Sequence, residues 1–444
     1  MSKNFSAPTI QIYFSTKTTI TIKTTIERLN LRLSQLYQKI MFRIMFFSFL
    51  SFFCFSCNTA NTSDKKIARH DSVLVYKPLT YLQKENYRQQ IEPIYNNLLV
   101  NSGFNGGIIV AKNGEIVFED YKGIINYKTK EAITANSQFH IASVSKTFTA
   151  MTVLKLMEQG KINIDADVRM YLPTFPYANI TVKNLLSHRS GLPNYVHIME
   201  GRITETFRTK NKRGKWVTHQ RMTTDKNVKA GLVTNNDVLQ FFATKRPAVE
   251  ALPNHHFQYC NTNYVLLALI VEKVTGQDFP TYMKDSVFIP LGMKETYIFC
   301  IKDTAKYIPS YKYNFVPYNI EKLDCVYGDK NVYSTPRDIL QWDKALYANS
   351  FVNQHTQLMA YTPYSNERAG THNYGLGWRL FTYPNYTLPY HNGWWHGNNA
   401  VFTRLIKDTA TIIVLGNRYN TRIYKAKEIA SIFGNITDTL QTEQ

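Results

Sequence analysis

Hydrophobic and polar positions alternate along this chain with two periods, and the period changes from one part of the sequence to the next. Between Leu82 and Leu99 apolar residues return every three to four positions, which predicts an amphipathic helix. Gly106 to Ala111 and Glu115 to Tyr121 are rich in Ile and Val and flank Lys112-Asn113-Gly114. Asn-Gly supplies the positive φ angles of a tight primed turn, so these two runs are expected to pair as a β-hairpin. A long helical pattern runs from Ser143 to Glu158 and stops at Gly160, the residue type that most readily takes the left-handed end position. Further helices are expected at Val182 to Ser187, Asp237 to Thr244, Thr262 to Val274, Pro280 to Val287 and Pro336 to Leu346. Strand patterns return at Tyr374 to Leu380, Pro389 to His391, Ala400 to Ile406 and Thr411 to Leu415, and a last helix is expected near Tyr424 to Phe433.

Strands therefore come first, helices in the middle and strands last, with no internal repeat. That order suits an α/β (α+β) fold: an antiparallel sheet assembled from both ends of the chain, flanked by helices, with an all-helical region inserted between its halves. The expected boundaries are a linker over 57–75 and a folded region over 76–436. Within it, a sheet lobe takes 76–140 and 366–436, and a helical lobe takes 141–365; residues 437–444 are a tail.

Composition narrows the setting. Of 444 residues 44% are apolar, 14% aromatic and 19% charged, so the chain can bury a core and is not a disordered polyelectrolyte. Its one continuously apolar stretch, Ile44 to Phe55, is shorter than the ~18 residues of a spanning helix. Lys39 and Arg43 precede it and Ser56-Cys57 follows, which reads residues 1–56 as an export leader. A small residue before a cysteine resembles a bacterial lipoprotein processing site. Cys57 is then the expected lipidated N-terminus, the membrane a partner through that anchor, and the cell envelope the location. Cys54 and Phe55 depart from the usual residues of such a site, which leaves ordinary signal-peptidase cleavage and a short uncleaved anchor open. Met41 stands where a conventional signal peptide begins, so the preceding Thr- and Lys-rich residues are expected to be an over-extended start.

The formal charge of +20 divides unevenly. The leader holds seven bases and one acid, so the chain from Cys57 on carries +14, and residues 202–229, with nine bases against Glu205 and Asp225, carry half of that. An export signal and the lack of a recognition motif argue against a nucleic-acid partner. The segment is expected to be a solvated, flexible insertion beside a cleft, or a contact for anionic envelope surfaces or acidic substrates. Metal catalysis is not expected: the eleven histidines are scattered, His-Glu-x-x-His is absent, and adjacent His255 and His256 would point apart if extended. No cofactor is implied. Cys260, Cys300 and Cys325 lie at no metal-ligand spacing, and a bridge between Cys300 and Cys325 fits the count without being required.

The candidate nucleophile is Ser143 in Ile141-Ala142-Ser143-Val144-Ser145-Lys146. Residues three apart share a helix face, so the Lys146 amine can reach the Ser143 hydroxyl and take its proton. The helix start adds N–H groups and a positive dipole, which favour negative charge developing on an attacked carbonyl. Alone the pattern is weak, since Ser63-Asp64-Lys65-Lys66 in the linker also matches it. Tyr-x-Asn, a phenol plus an amide, begins at seven positions among 30 tyrosines. Context favours Tyr259-Cys260-Asn261, between a loop and the apolar helix that starts at Thr262.

These residues, taken with LLSHRSGLPNY (185–195), IPLGM (289–293), GDKNVYSTPRDILQWDKAL (328–346), YGLGW (374–378) and HNG (391–393), resemble the serine β-lactamase-like hydrolases. That family includes class C β-lactamases, penicillin-binding proteins, D-aminopeptidases and related esterases. The resemblance spans residues 84–435 and implies a β-lactamase/transpeptidase-like fold. It implies that Ser143 attacks the carbonyl, that Lys146 and Tyr259 share the proton transfers, and that Asn261 hydrogen-bonds Lys146 and the substrate amide. It also implies that His391 lies near the substrate's carboxylate end and that Gly393 lets substrate backbone approach its strand. The N–H groups of Ser143 and Trp394 would form the oxyanion hole. His391 and Asn392 replace the lysine and threonine of well-known β-lactamases, and a histidine, mostly neutral at pH 7, is a weaker carboxylate anchor. The resulting expectation is an envelope serine hydrolase acting through an acyl-enzyme on a peptide or small-molecule amide, ester or β-lactam bond, with D-amino-acid peptides favoured. The alternative is a binding or sensor protein of the same fold that acylates without useful turnover.

Overall fold

Thr80 and Gln83 exchange side-chain and backbone hydrogen bonds in a capping box and start helix α1 (Tyr81–Leu98), one residue earlier than the hydrophobic period alone indicates. The computed structural model describes residues 77–199, 202–224, 230–384 and 386–434. The leader, Cys57, the linker and the 437–444 tail lie outside them, and with them the lipidation reading.

The expected hairpin forms as β1 (Gly106–Lys112) and β2 (Glu115–Lys122), with Asn113 and Gly114 both at positive φ in the turn. Short strands β3 (Ile124–Asn126), β4 (Glu131–Ala132) and β5 (Phe139–His140) follow. A 3₁₀ turn at Ala142–Val144 leads into helix α2 (Ser145–Glu158). Strands β6 (Arg202–Lys210) and β7 (Trp216–Thr224) pair with each other as a separate two-stranded ribbon. Helix α3 (Thr262–Thr275) is buried on every side from Thr262 to Val271, as the apolar run from Val265 to Val271 requires. Strands β8 (Tyr297–Ile298) and β9 (Val332–Ser334) join β5 in a small sheet, and helix α4 (Pro336–Tyr347) follows.

The C-terminal strands β10 (His372–Tyr374), β11 (Arg379–Tyr383), β12 (Tyr386–Trp395), β13 (Asn398–Leu405) and β14 (Ala410–Gly416) combine with the N-terminal hairpin. The result is one antiparallel sheet in the order β10-β11-β12-β13-β14-β1-β2. Both ends of the chain therefore build one sheet, as the order of patterns implies. Period-two alternation splits its side chains between two cores. Ile108, Val110, Val401, Ile412 and Val414 pack toward α1 and the C-terminal segment Thr421–Ile432, while Ile109, Phe402, Ile413 and Leu415 pack toward the helical region.

Several expectations change. The inserted region is not purely helical, since it carries the β6–β7 ribbon and strands β8 and β9. The single strand read over Tyr374 to Leu380 is two strands broken by Gly375 to Trp378, because Gly377, at φ +87°, approaches α2 so closely that a Cβ would sit 2.2 Å from that of Ala150. The last helix is a 3₁₀ element, Thr421–Ile432. Cys300 and Cys325 are free thiols, so the bridge that their count allowed is not formed. The chain at His255 and His256 is bent rather than extended, and their Nδ1 atoms lie 2.9 Å from each other.

Candidate active site

Ser143 sits in the 3₁₀ turn just before α2, and the preceding Ala142 is held at φ +48°. A non-glycine residue there costs about 1–3 kcal/mol, so the surrounding structure must fix it. Three contacts do. His140 Nδ1 accepts from the Ala142 N–H at 3.1 Å, leaving Nε2 to donate to Asn331 Oδ1 at 3.0 Å. Burial lowers His140 to about 4, which keeps it neutral and able to accept. The Ile141 N–H donates to Val332 O at 2.9 Å, and Ser145 Oγ accepts from the Val332 N–H at 3.1 Å. Strand β9 thus grips the turn from both sides of the serine.

Lys146, one helical turn on, is fully buried. Its Nζ donates to Ser143 Oγ at 3.1 Å and to the Asp329 carbonyl at 2.8 Å. The rings of Tyr259 and Tyr264 stand 5.0 and 5.6 Å from it. The carbonyl is itself anchored: the Asp329 carboxylate accepts from Tyr195 Oη at 3.0 Å, and Lys330 Nζ lies 3.8 Å from its other oxygen.

Loop 257–261 is pinned from beneath. His188, fully buried at φ +55°, accepts at Nδ1 from the Cys260 N–H at 3.2 Å and from Asn263 at 3.2 Å. Burial, with Lys146 next in weight, holds His188 well below the ordinary histidine range. Its ring lies 4.3 Å from that of Tyr259. The motif LLSHRSGLPNY is thus the cradle of Tyr259. The hydroxyl of Tyr259 takes no hydrogen-bond partner among the described residues, and the ring is flanked by Lys146 and, at 5.2 Å, by the Arg379 guanidinium. The expected bond between Asn261 and Lys146 is not made. Lys146 turns to Ser143 and Asp329, and Asn261 Oδ1 is buried without a partner among the described residues.

Strand β12 closes the other side. Its pairing with β11 ends at Arg379↔Tyr390, so the edge from His391 onward has no partner strand among the described residues. A Cβ on Gly393 would meet Ile141 O at 2.3 Å and stand 3.2 Å from Ser143 N, so only glycine lets the strand lie against the serine turn. Trp394 follows, 63% exposed, with its indole donating to His396 O at 3.0 Å. His391 is fully buried. Its Nδ1 donates to Asn392 O at 2.7 Å, and its Nε2 accepts from Tyr374 Oη at 3.3 Å. Burial, then Arg379 and Lys146, pushes its pKa well down. His391 therefore presents no cation. Arg379, half-buried at the start of β11, does.

A family model described as "Beta-lactamase" matches residues 98–432. The chain belongs to the beta-lactamase family. Members of this family are serine hydrolases, with penicillin-binding proteins and amidases among them. Penicillin-binding protein 4* of Bacillus subtilis (strain 168) is 29% identical over 367 residues, which cover 78% of this chain and 76% of that protein. A penicillin-binding protein from Bacillus halodurans superposes with a TM-score of 0.65 at 23% identity, covering 76% of this chain and 98% of the other. A D-amino acid amidase from Ochrobactrum anthropi SV3 does so at 0.61 and 21%, covering 78% and 98%. These two similarities show the shared fold.

For this beta-lactamase-family chain the structure brings Ser143, Lys146, Tyr259 and Gly393 together, with Trp394 next to Gly393 on the same strand. It adds His140, His188, Asp329, Tyr374 and Arg379, which sequence spacing did not single out. Among the described residues no group of three or more His, Cys, Asp or Glu side chains is placed to hold a metal ion.

Proposed function

We propose that this protein is an envelope serine hydrolase that opens a carbonyl bond through an acyl-enzyme at Ser143. The observation carrying the reading is the fully buried Lys146 Nζ at 3.1 Å from Ser143 Oγ. An amine there can take the hydroxyl proton as the oxygen attacks. The C–N or C–O bond then breaks, the leaving group takes a proton from the Tyr259 phenol, and water hydrolyses the ester by the reverse transfers. The Ser143 N–H beside Gly393 and the N–H of Trp394 serve the oxyanion.

The substrate class follows from the strand side. An unpaired edge at His391 to Trp395 suits an extended peptide, and the orphaned Asn261 Oδ1 suits a donor such as a substrate amide N–H. Arg379 suits a carboxylate beyond the scissile bond. The name of one structural neighbour, a D-amino acid amidase, is in keeping with a D-amino-acid substrate. A substrate panel tests this. D-Ala-terminated peptides are expected to turn over faster than their amidated forms and faster than cephalosporins; preference for the uncharged amides would contradict the assignment of Arg379. The buried, neutral His391 favours one second reading, a binding or sensor protein that acylates and stalls. It would appear as one equivalent of released product with no steady state. We further propose export and lipid anchoring at Cys57, which fails if mass spectrometry of the processed protein finds any N-terminus other than a diacylglyceryl Cys57.

A further inference from the structure

The hydrolase reading leaves one element unused, the ribbon of β6 and β7. Its nine-residue strands pair in continuous register from Arg202↔Thr224 to Lys210↔Trp216, and every residue from Thr206 to Arg221 is exposed. The tip is built rather than loose. The Asn211 N–H donates to Lys215 O at 2.9 Å, Asn211 Oδ1 accepts from the N–H groups of Arg213 and Lys215 at 2.9 and 3.0 Å, and Gly214 supplies a φ of +73°.

Charge and apolar surface concentrate at that end. Arg208, Lys210, Lys212, Arg213 and Lys215 lie within eight residues, and no acid occurs between Glu205 and Asp225. Trp216 is 59% exposed beside them, with Lys210 Nζ 5.3 Å from its ring. Register puts Lys210 and Trp216 on one face and Phe207, Val217 and His219 on the other, where the Phe207 and His219 rings stack at 5.4 Å. A purely solvated ribbon gains nothing from an exposed indole. A single nucleic-acid strand stacks along one face, whereas here Arg208, Lys210 and Trp216 share one face, and Arg221, 5.2 Å from the Phe207 ring, joins Phe207 and Val217 on the other. Both faces are used at once when the tip enters a planar interface end-on, indole at headgroup depth and ammonium groups against phosphates.

We propose that the β6–β7 ribbon is a membrane-docking element whose tip, Lys210 to Trp216, seats in the headgroup layer of an anionic phospholipid bilayer. This stands independently of the chemistry at Ser143. The test is co-sedimentation of the full-length protein with vesicles of phosphatidylcholine alone and of equimolar phosphatidylcholine and phosphatidylglycerol. The variant carries Lys210→Gln, Lys212→Gln, Arg213→Gln and Lys215→Gln together. Partitioning onto the anionic vesicles is expected to fall at least about tenfold in the variant, and to fall with added salt in the natural protein. Partitioning onto neutral vesicles, where the apolar leader acts alike in both proteins, is expected to stay the same. Bromine-labelled lipid is expected to quench the natural protein more than Trp216→Phe. An unchanged thermal midpoint in the variants shows that the fold is intact. Equal anionic partitioning, an equal loss on neutral vesicles, or a loss confined to single-stranded polynucleotide would each overturn the proposal.

Discussion

On the helix side of the site, Lys146 is fixed by two aromatic rings and two hydrogen bonds, one of them to a carbonyl whose own residue is tied to Tyr195. On the strand side, β12 presents an unpaired edge, an exposed Trp394 and a histidine that faces inward. The first side is over-determined, which suits the proposed role of a group that must hold a near-attack geometry. The second is held chiefly by its backbone and by the absence of a Cβ at Gly393. On the proposed reading, chemistry is built into the start of α2 and selectivity into β11 and β12.

That contrast can be broken from either side. Lys146→Met should have the largest effect, a fall in kcat of about 10²- to 10⁴-fold with KM little changed, because it removes the base and leaves the strand intact. A comparable loss in KM alone would move Lys146 from chemistry to binding. Gly393→Ala comes next. Its new Cβ stands 2.3 Å from a backbone oxygen, so strand or turn must shift, and a displacement near 1 Å costs on the order of 10²-fold in turnover. Arg379→Ala should raise KM about 10- to 100-fold for substrates ending in a carboxylate and leave their amides unaffected, the size of a lost charged hydrogen bond. Equal losses on both would make Arg379 a support for Tyr259 instead.

The smallest effect is on stability. His140, His188 and His391 are buried and depressed, His140 to about 4. Below about pH 6.5 the unfolded chain takes up protons that the native state refuses, so stability is full above that pH and is lost as pH falls toward the native values. The midpoint of urea denaturation should drop between pH 7.5 and 5, and His391→Asn should flatten that slope.

Much of this was legible in the sequence because it rests on local signals. The Asn113-Gly114 turn, the apolar run of α3 from Val265 to Val271 and the Ser143-x-x-Lys146 spacing each act locally. The ribbon left no trace in the hydrophobic pattern because its residues from Thr206 to Arg221 are exposed, so no buried face imposes an alternation on them. Gly375 and Gly377 broke a strand because of what α2 brings against them. Asp329, His140 and Arg379 reach the site from segments distant in sequence, where no spacing rule applies. The partners of Asn261 and His391 are set by tertiary packing, which the motif does not carry.

The most direct test of the central claim is intact and peptide mass spectrometry after exposure to a fluorophosphonate. The account predicts one adduct per chain, on the peptide containing Ser143, and none on Ser143→Ala. An unlabelled natural protein, or equal labelling of Ser143→Ala, would contradict it.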